Sequence, residues 1–499
     1  MMVRVNLKAA WNKLVGAECS SRATARAISV ALLVIIVLSI PVFVYGDVDA
    51  LSVCRIGFFV CLIHAVLLSR YGILRPSFLI YATFVLFSFG VPILIAIKPE
   101  YSDHYLSLID KRTFVRFAYY TIVCISAFGT ALSLTSFKSA GAKKKGGSAL
   151  ERVYLKVSGF LDENMKLVMA IASFVFLLTG IVSFAYALEF TLASLKAGIV
   201  SARDTVVNTS LVNLCRGLFV PLFFFLLAFA RSKKYKISIS IVMLIYSSLS
   251  LLSGDRTEGL TLLVALFVYW YRFCSNGGTA IAFKRVVAAA CCMLILFLIP
   301  AIASFRVGGG VAVGGILDTF EKVLSELGFN FYTVCFQSYL DLPRYYGLTY
   351  VASLSSLLPR SLDVLGIKNA LQPMYGEVLY NEGMASVFDW VTFGLGYSVV
   401  AESYLNFAFA GFLIVFFIGV FVGRLCSRES DSNFGCYVAY SCLWALFTLA
   451  RRGFDFPVNS LKYILIIVPA VLIVSVLAIQ RFGRVLHQET CGDCDAEHD

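Results

Sequence analysis

Twelve apolar runs of 15 to 31 residues succeed one another along this chain, with charged residues largely confined to the segments between them. A helix needs roughly 20 apolar residues to cross a bilayer. An unpaired backbone group in lipid costs several kcal/mol, so a crossing segment must close its own hydrogen bonds. The runs are 28–45, 55–69, 76–97, 113–135, 166–188, 211–230, 237–252, 259–273, 286–304, 393–423, 434–450 and 458–480. Mean hydropathy is +0.84 and 14% of residues are charged, against about 25% in a soluble domain. The expected class is an all-α polytopic membrane protein of about 12 transmembrane helices. The first run follows a basic stretch, as in a signal peptide. It is too long for one and no small-x-small cleavage site follows closely, so it reads as an uncleaved span.

The 42 Lys and Arg against 30 Asp and Glu give a net charge of +12. Nucleic-acid binding would use such a surplus, but so does the bias of basic residues toward the cytoplasmic side of a membrane protein. With a cytoplasmic N-terminus, 24 basic residues fall on the inner side. Six of them (Lys138, Lys143, Lys144, Lys145, Arg152, Lys156) lie in 136–165. That Gly/Ser-rich segment reads as a basic linker facing anionic lipid. Membrane lipids are therefore expected partners, nucleic acid is not, and both termini are placed in the cytoplasm. The chain divides into a four-span bundle 1–135, the linker 136–165, and central spans 166–304 with outer loops 189–210 and 253–258. A large outer loop 305–392, C-terminal spans 393–480 and a cytoplasmic tail 481–499 follow.

The segment Phe305–Thr392 is too long and too mixed in polarity to lie in lipid, and loops of that length usually carry function. Within it Ile316, Leu317, Phe320, Val323, Leu324 and Leu327 recur at helical spacing, with Asp318, Glu321, Lys322, Ser325 and Glu326 opposite. This predicts a surface-lying amphipathic helix, a lid or floor. A single cysteine, Cys335, gives the loop no disulfide framework. Cys491 and Cys494, with His487 and His498 nearby, form a CxxC in a short polar tail with nothing to pack it, so zinc is not expected there. No metal or nucleotide-type cofactor is expected elsewhere.

Arginine on the translocated side runs against the charge bias, so a cluster of it there suggests a use. Arg203, Arg256, Arg306, Arg344, Arg360, Arg451 and Arg452 fall in outer loops, with Arg216 just inside a span. Any one of them can be a headgroup anchor; seven on one face suggest an anionic substrate. In the short hairpin Ser253-Gly-Asp-Arg256-Thr-Glu258, Ser and Asp can cap the next helix, whose free N–H groups attract anions. Arg256 there adds a bidentate phosphate donor. Arg203, and Arg306 in Phe305-Arg306-Val-Gly-Gly-Gly310, are expected at the same depth, and the trio suits a membrane-anchored phosphate or diphosphate. Arg344, Tyr346, Tyr350 and Arg360 suit sugar stacking or an interfacial belt. Glu402 and Asn406 share one helix face near the outer end of an apolar run. An ionisable group inside a membrane segment is a functional candidate, and a carboxylate favoured by the helix dipole is the plainer alternative.

Taken in order, Ser253-Gly-Asp-Arg256, Phe305-Arg306, Tyr346-Gly-Leu-Thr-Tyr350 ahead of Leu358-Pro359, and Gly394-Leu-Gly396 leading into Ala401-Glu402-Ser-Tyr-Leu-Asn406-Phe resemble the Wzy oligosaccharide repeat-unit polymerases of bacterial O-antigen and capsule pathways. The likeness spans about residues 165–480. Two features depart from the family pattern. Ala408 precedes Gly411 where a glycine is expected soon after the Asn, and Arg203, Arg256 and Arg306 do not meet an arginine–ten residues–glycine spacing. The resemblance implies a GT-C-like glycosyltransferase with amphipathic helices in a large periplasmic loop. It implies the bacterial inner membrane, an active site on the periplasmic face, repeat units on undecaprenyl diphosphate as substrate, and a chain-length regulator as partner. The residues fit that chemistry independently. A diphosphate leaves without a general acid once its charge is held, a task for Arg203, Arg256 and Arg306. The acceptor hydroxyl needs a base, Glu402 or Glu377, with Arg344, Tyr346, Tyr350, Arg360 and Asn406 contacting substrate. Three other readings stand beside this one. Asp47-Val-Asp49 suits a polyprenyl-phosphate-sugar transferase. An O-antigen ligase is expected to use an outer histidine, for which His104 alone is present. A flippase or transporter would favour mid-span charges and internal repeats.

Overall fold

The computed structural model describes residues 18–70, 72–135, 149–206, 209–253, 256–273, 316–340, 342–358, 366–387, 396–429 and 432–495. Among the described residues the structure is helical, with no strand. The N-terminal half is built from α1 (Glu18–Leu38), α2 (Ile40–Tyr45), α3 (Ala50–Ser69), α4 (Pro76–Ile97), the short α5 (Ser102–Leu106) and α6 (Lys111–Thr135). Next come α7 (Ala149–Glu163), α8 (Met165–Thr205), α9 (Ser210–Phe229), α10 (Lys233–Leu252) and α11 (Arg256–Phe273). The large loop contributes α12 (Ile316–Gly328), α13 (Tyr332–Phe336), α14 (Leu348–Ser355), α15 (Ile367–Leu371) and α16 (Gly376–Val387). The C-terminal part holds α17 (Val399–Phe407), α18 (Phe412–Cys426), α19 (Asn433–Leu446), α20 (Asp455–Lys462) and α21 (Val468–Asp495).

Among the described residues ten segments are long and apolar enough to cross a membrane, and they correspond to ten of the twelve expected runs. The eighth run, 259–273, is present as α11, but that helix carries Arg256, Glu258 and Arg272 within its eighteen residues. The ninth, 286–304, lies outside the described residues. Helix starts follow the expected chemistry. Asp49, Thr209, Ser232, Ser398 and Ser432 each accept a backbone N–H from the first turn of the helix they precede, the usual N-cap bond. One boundary differs. The expected loop 189–210 is helix through Thr205, because nothing in 189–205 breaks the helix before Thr209 caps the next one.

The core lies between the two halves. Helices α6 and α19 are enclosed on almost every side, and α6 packs most extensively against α18, joining the N-terminal bundle to the C-terminal spans. The amphipathic helix forms as predicted, as α12, burying Val323 and Leu324. It lies along α4. A Cβ built on Gly328 would come within 2.6 Å of Gly90 Cα, so the two backbones touch. Its polar side is also engaged: Glu321 meets Lys98 in an ion pair and Tyr101 at 2.9 Å, and the Ser325 and Tyr105 hydroxyls are 2.5 Å apart. Beyond α12 the chain dives inward, with Phe331, Tyr332 and Cys335 buried. The Asn330 side-chain amide donates to Ala450 O, and Gln337 donates to Ala401 O at 2.9 Å. Residues 330–337 of the large loop thus form a plug set among the span ends on the side of the molecule that carries this loop, the loop end.

Candidate active site

The run 393–423 is not one continuous helix. Helix α17 stops at Phe407, a short 3-10 turn covers Ala408–Gly411, and α18 resumes at Phe412. Ala408 sits at φ 50 and ψ −135, a conformation suited to glycine. The break leaves α17 as a nine-residue helix at the loop end, carrying Glu402, Tyr404 and Asn406.

Glu402 is fully buried. Its Oε1 accepts from Thr349 Oγ1 at 2.7 Å, and its Oε2 accepts from the Phe454 backbone N–H at 2.7 Å. Asn406, one turn on, closes the arrangement. Its Nδ2 donates to Thr349 Oγ1 and to Glu402 O, and its Oδ1 accepts from Gly347 N, each at 2.8 Å. A buried carboxylate is tolerated when hydrogen bonds replace its lost water. Together these bonds pin the motif Tyr346–Tyr350 to α17 and to the turn before α20.

Two more carboxylates approach Glu402. A Cβ built on Gly453 would stand 2.9 Å from Asp455 Oδ1, 3.4 Å from Glu377 Cβ and 3.5 Å from Glu402 Oε2. Glu377 is half-buried in the first turn of α16. Asp455 begins α20, and its buried Oδ1 has no hydrogen-bond partner. Gly376 lets α16 close in, since a Cβ there would be 3.1 Å from Glu402 Cδ. Two buried tyrosine hydroxyls nearby, on Tyr350 and Tyr380, also lack a partner. Burial, and then the Glu402 carboxylate, push the Tyr350 phenol well above its usual range, so it stays neutral as a donor.

The expected site residues therefore fall into three groups. Glu402, Asn406, Glu377 and Tyr350 come together; Tyr350 is buried against Phe454, ring centroids 5.2 Å apart, instead of lying open for stacking. Arg344 and Tyr346 are exposed, and Tyr346 (φ 47) and Gly347 (φ 93) form the tight turn that presents them. Arg306 and Arg360 lie outside the described residues, and of Arg203 and Arg256 only the backbone is described. Arg203 is in the last turn of α8 and Arg256 opens α11. Those helices are tied by Arg216, which pairs with Glu258 at 2.8 Å and stacks 4.7 Å from the Tyr186 ring. Asp49 caps α3 and faces Lys111 at 3.8 Å. His104 lies against Tyr105, with ring centroids 5.0 Å apart.

Sequence reasoning overlooked Thr349, Asp455 and the Phe454 N–H. Thr349 stood inside a motif already singled out, between two tyrosines that drew the attention. Asp455 stood in a loop noted for Arg451 and Arg452, where an acid directly before an apolar run was the available signal.

The model of the family described as O-antigen polysaccharide polymerase Wzy matches residues 27–481 of the chain. The match takes in the N-terminal spans, which the motifs had not reached. No curated protein and no solved structure matches. The chain is an all-α, multi-pass membrane protein that belongs to the O-antigen polysaccharide polymerase Wzy family.

Proposed function

We propose that the protein joins undecaprenyl-diphosphate-linked oligosaccharide repeat units into O-antigen or a related surface polysaccharide, at the periplasmic face of the bacterial inner membrane. The observation that carries this is the buried Glu402 carboxylate, held by Thr349 and Phe454 with Glu377 and Asp455 beside it at the loop end. The acceptor sugar hydroxyl attacks the anomeric carbon of the donor. A new C–O bond forms, the bond from that carbon to the diphosphate oxygen breaks, and the diphosphate leaves with the electron pair. Arg203, Arg256 and Arg306 hold the charge that develops on it. The hydroxyl proton passes to Glu402, whose orientation is fixed before substrate arrives. Tyr346, Tyr350, Arg360 and Asn406 shape the saccharide path around it, and Arg344 contacts substrate beyond it.

Glu377 is the other candidate base, because it is half-buried and so nearer to bulk water than Glu402. The test is purified protein supplied with lipid-linked repeat units alone. The reading expects a ladder of polymer from wild type, a ladder lost in Glu402→Gln, and one retained at reduced rate in Glu377→Gln. Loss in Glu377→Gln with retention in Glu402→Gln exchanges the two roles. No polymer from wild type with both substrates present contradicts the polymerase reading.

A further inference from the structure

On the far side of α17 from Glu402 lies a second constellation. Glu402 and Tyr404 are two residues apart, about 200° around the helix, so their side chains leave it in nearly opposite directions. Tyr404 is buried among Phe117, Tyr120 and Phe409, with ring centroids 4.8, 5.1 and 5.9 Å away. Two exposed arginines from distant parts of the chain converge on it. Arg116, in the second turn of α6, donates to the Tyr404 hydroxyl at 3.3 Å and lies 5.5 Å from the Phe409 ring. Arg344 donates to Tyr404 O at 2.8 Å and stacks 4.8 Å from the Tyr404 ring. Among the described residues neither guanidinium meets a carboxylate. Each holds several further N–H donors, and Lys111 and Arg112 open the same helix.

We propose that Arg116 and Arg344, backed by Tyr404, form a seat for a lipid-borne phosphate: the diphosphate of a second lipid-linked saccharide, one that stays intact during the reaction. The choice of ligand rests on the polymerisation reading, since joining two lipid-linked units brings two diphosphates to the protein and only one of them departs. A seat on the side of α17 away from the carboxylates suits the one that is kept. Aromatic backing fixes the guanidinium planes before the ligand arrives, which lowers the cost of ordering them. The N-terminal bundle thereby supplies part of the site.

The test uses full-length protein in nanodiscs and measures binding of farnesyl diphosphate, with farnesol as the phosphate-free comparison. Arg116→Ala and Arg344→Ala should each weaken one of two classes of farnesyl diphosphate site by roughly 10-fold or more, the range for losing a charge-assisted hydrogen bond, and leave the class held by Arg203, Arg256 and Arg306 in place. Farnesol binding should not change, and Arg116→Lys should recover part of the loss. Where an alanine variant also loses farnesol, the glutamine variants decide, because they keep length and drop charge. Farnesyl diphosphate binding unchanged in both single variants, or in their glutamine counterparts, overturns the proposal. So does competition by phosphatidylglycerol as potent as that by farnesyl diphosphate, which would make the seat a phospholipid site. Arginine-dependent binding with no polymer from wild type leaves the seat standing and removes the polymerase reading. Polymer from wild type with arginine-independent binding does the reverse.

Discussion

Ala408 shows how far one side chain can be judged from its backbone. An alanine held in a glycine-type conformation costs about 1–3 kcal/mol, and glycine there gives back part of that gain through its looser unfolded chain. Ala408→Gly should therefore raise the thermal unfolding midpoint of the detergent-purified protein, by the equivalent of about 1 kcal/mol; a lower midpoint would contradict the strain. Asn406 works the other way. Asn406→Ala leaves the half-buried Gly347 N–H without the acceptor it has now and takes a side-chain donor from Thr349 Oγ1 and from Glu402 O. A loss of about 1–3 kcal/mol is expected for buried polar groups left unpaired, read from the same melt. Of this cluster, Glu402 and Asn406 could be paired from sequence because a spacing of four puts them on one helix face. Asp455 could not, because its approach to Glu402 depends on a turn 53 residues away meeting that face, and periodicity along one helix says nothing about what packs against it.

The helices divide in the same manner. The apolar stripe of α12 was plain at its spacing, but the stripe does not say which surface it covers, and the contact with α4 rests on two glycines far apart in sequence. Gly328→Ala puts a methyl group against the α4 backbone, which cannot move aside as a side chain would. Overpacking of about 1–3 kcal/mol is expected, seen as faster proteolytic cutting in 305–340; unchanged cutting would mean that the helices do not touch. Lys98, and then Tyr101, hold the Glu321 carboxyl below its usual range. The contribution to α12 docking is therefore fully present above the ordinary carboxylate pKa and is lost as pH falls through the lowered value. Cutting in 305–340 should rise in that acid window for wild type. Lys98→Met should show less of this rise, and added salt should shrink the difference because the pair is partly exposed. The extension of α8 through Thr205 was missed for a related reason: charge suggested a loop where no residue stops a helix.

Across the molecule, the succession of apolar runs was enough to give the class, and the order of weak motifs enough to suggest the family. What stayed hidden was the joint between halves. The N-terminal bundle read as spans alone, yet it seats α12 and brings Arg116 to α17. The loop that looked like an external cap is in part a buried plug, because its tyrosines and phenylalanines, which suit an interface as well as a core, find the ends of α4, α6 and α17. The central claim is that the carboxylate held by Thr349 and Phe454 takes the acceptor proton. The most direct measurement is the rate of polymer formation by purified wild-type and Glu402→Gln proteins from lipid-linked repeat units, with thermal unfolding followed alongside. Glutamine keeps the shape, its oxygen can accept from the Phe454 N–H and its amide can donate to Thr349 Oγ1, so the melt should hold while the rate falls by roughly 100-fold or more, as for loss of a general base. A glutamine variant that builds chains at the wild-type rate would contradict the account.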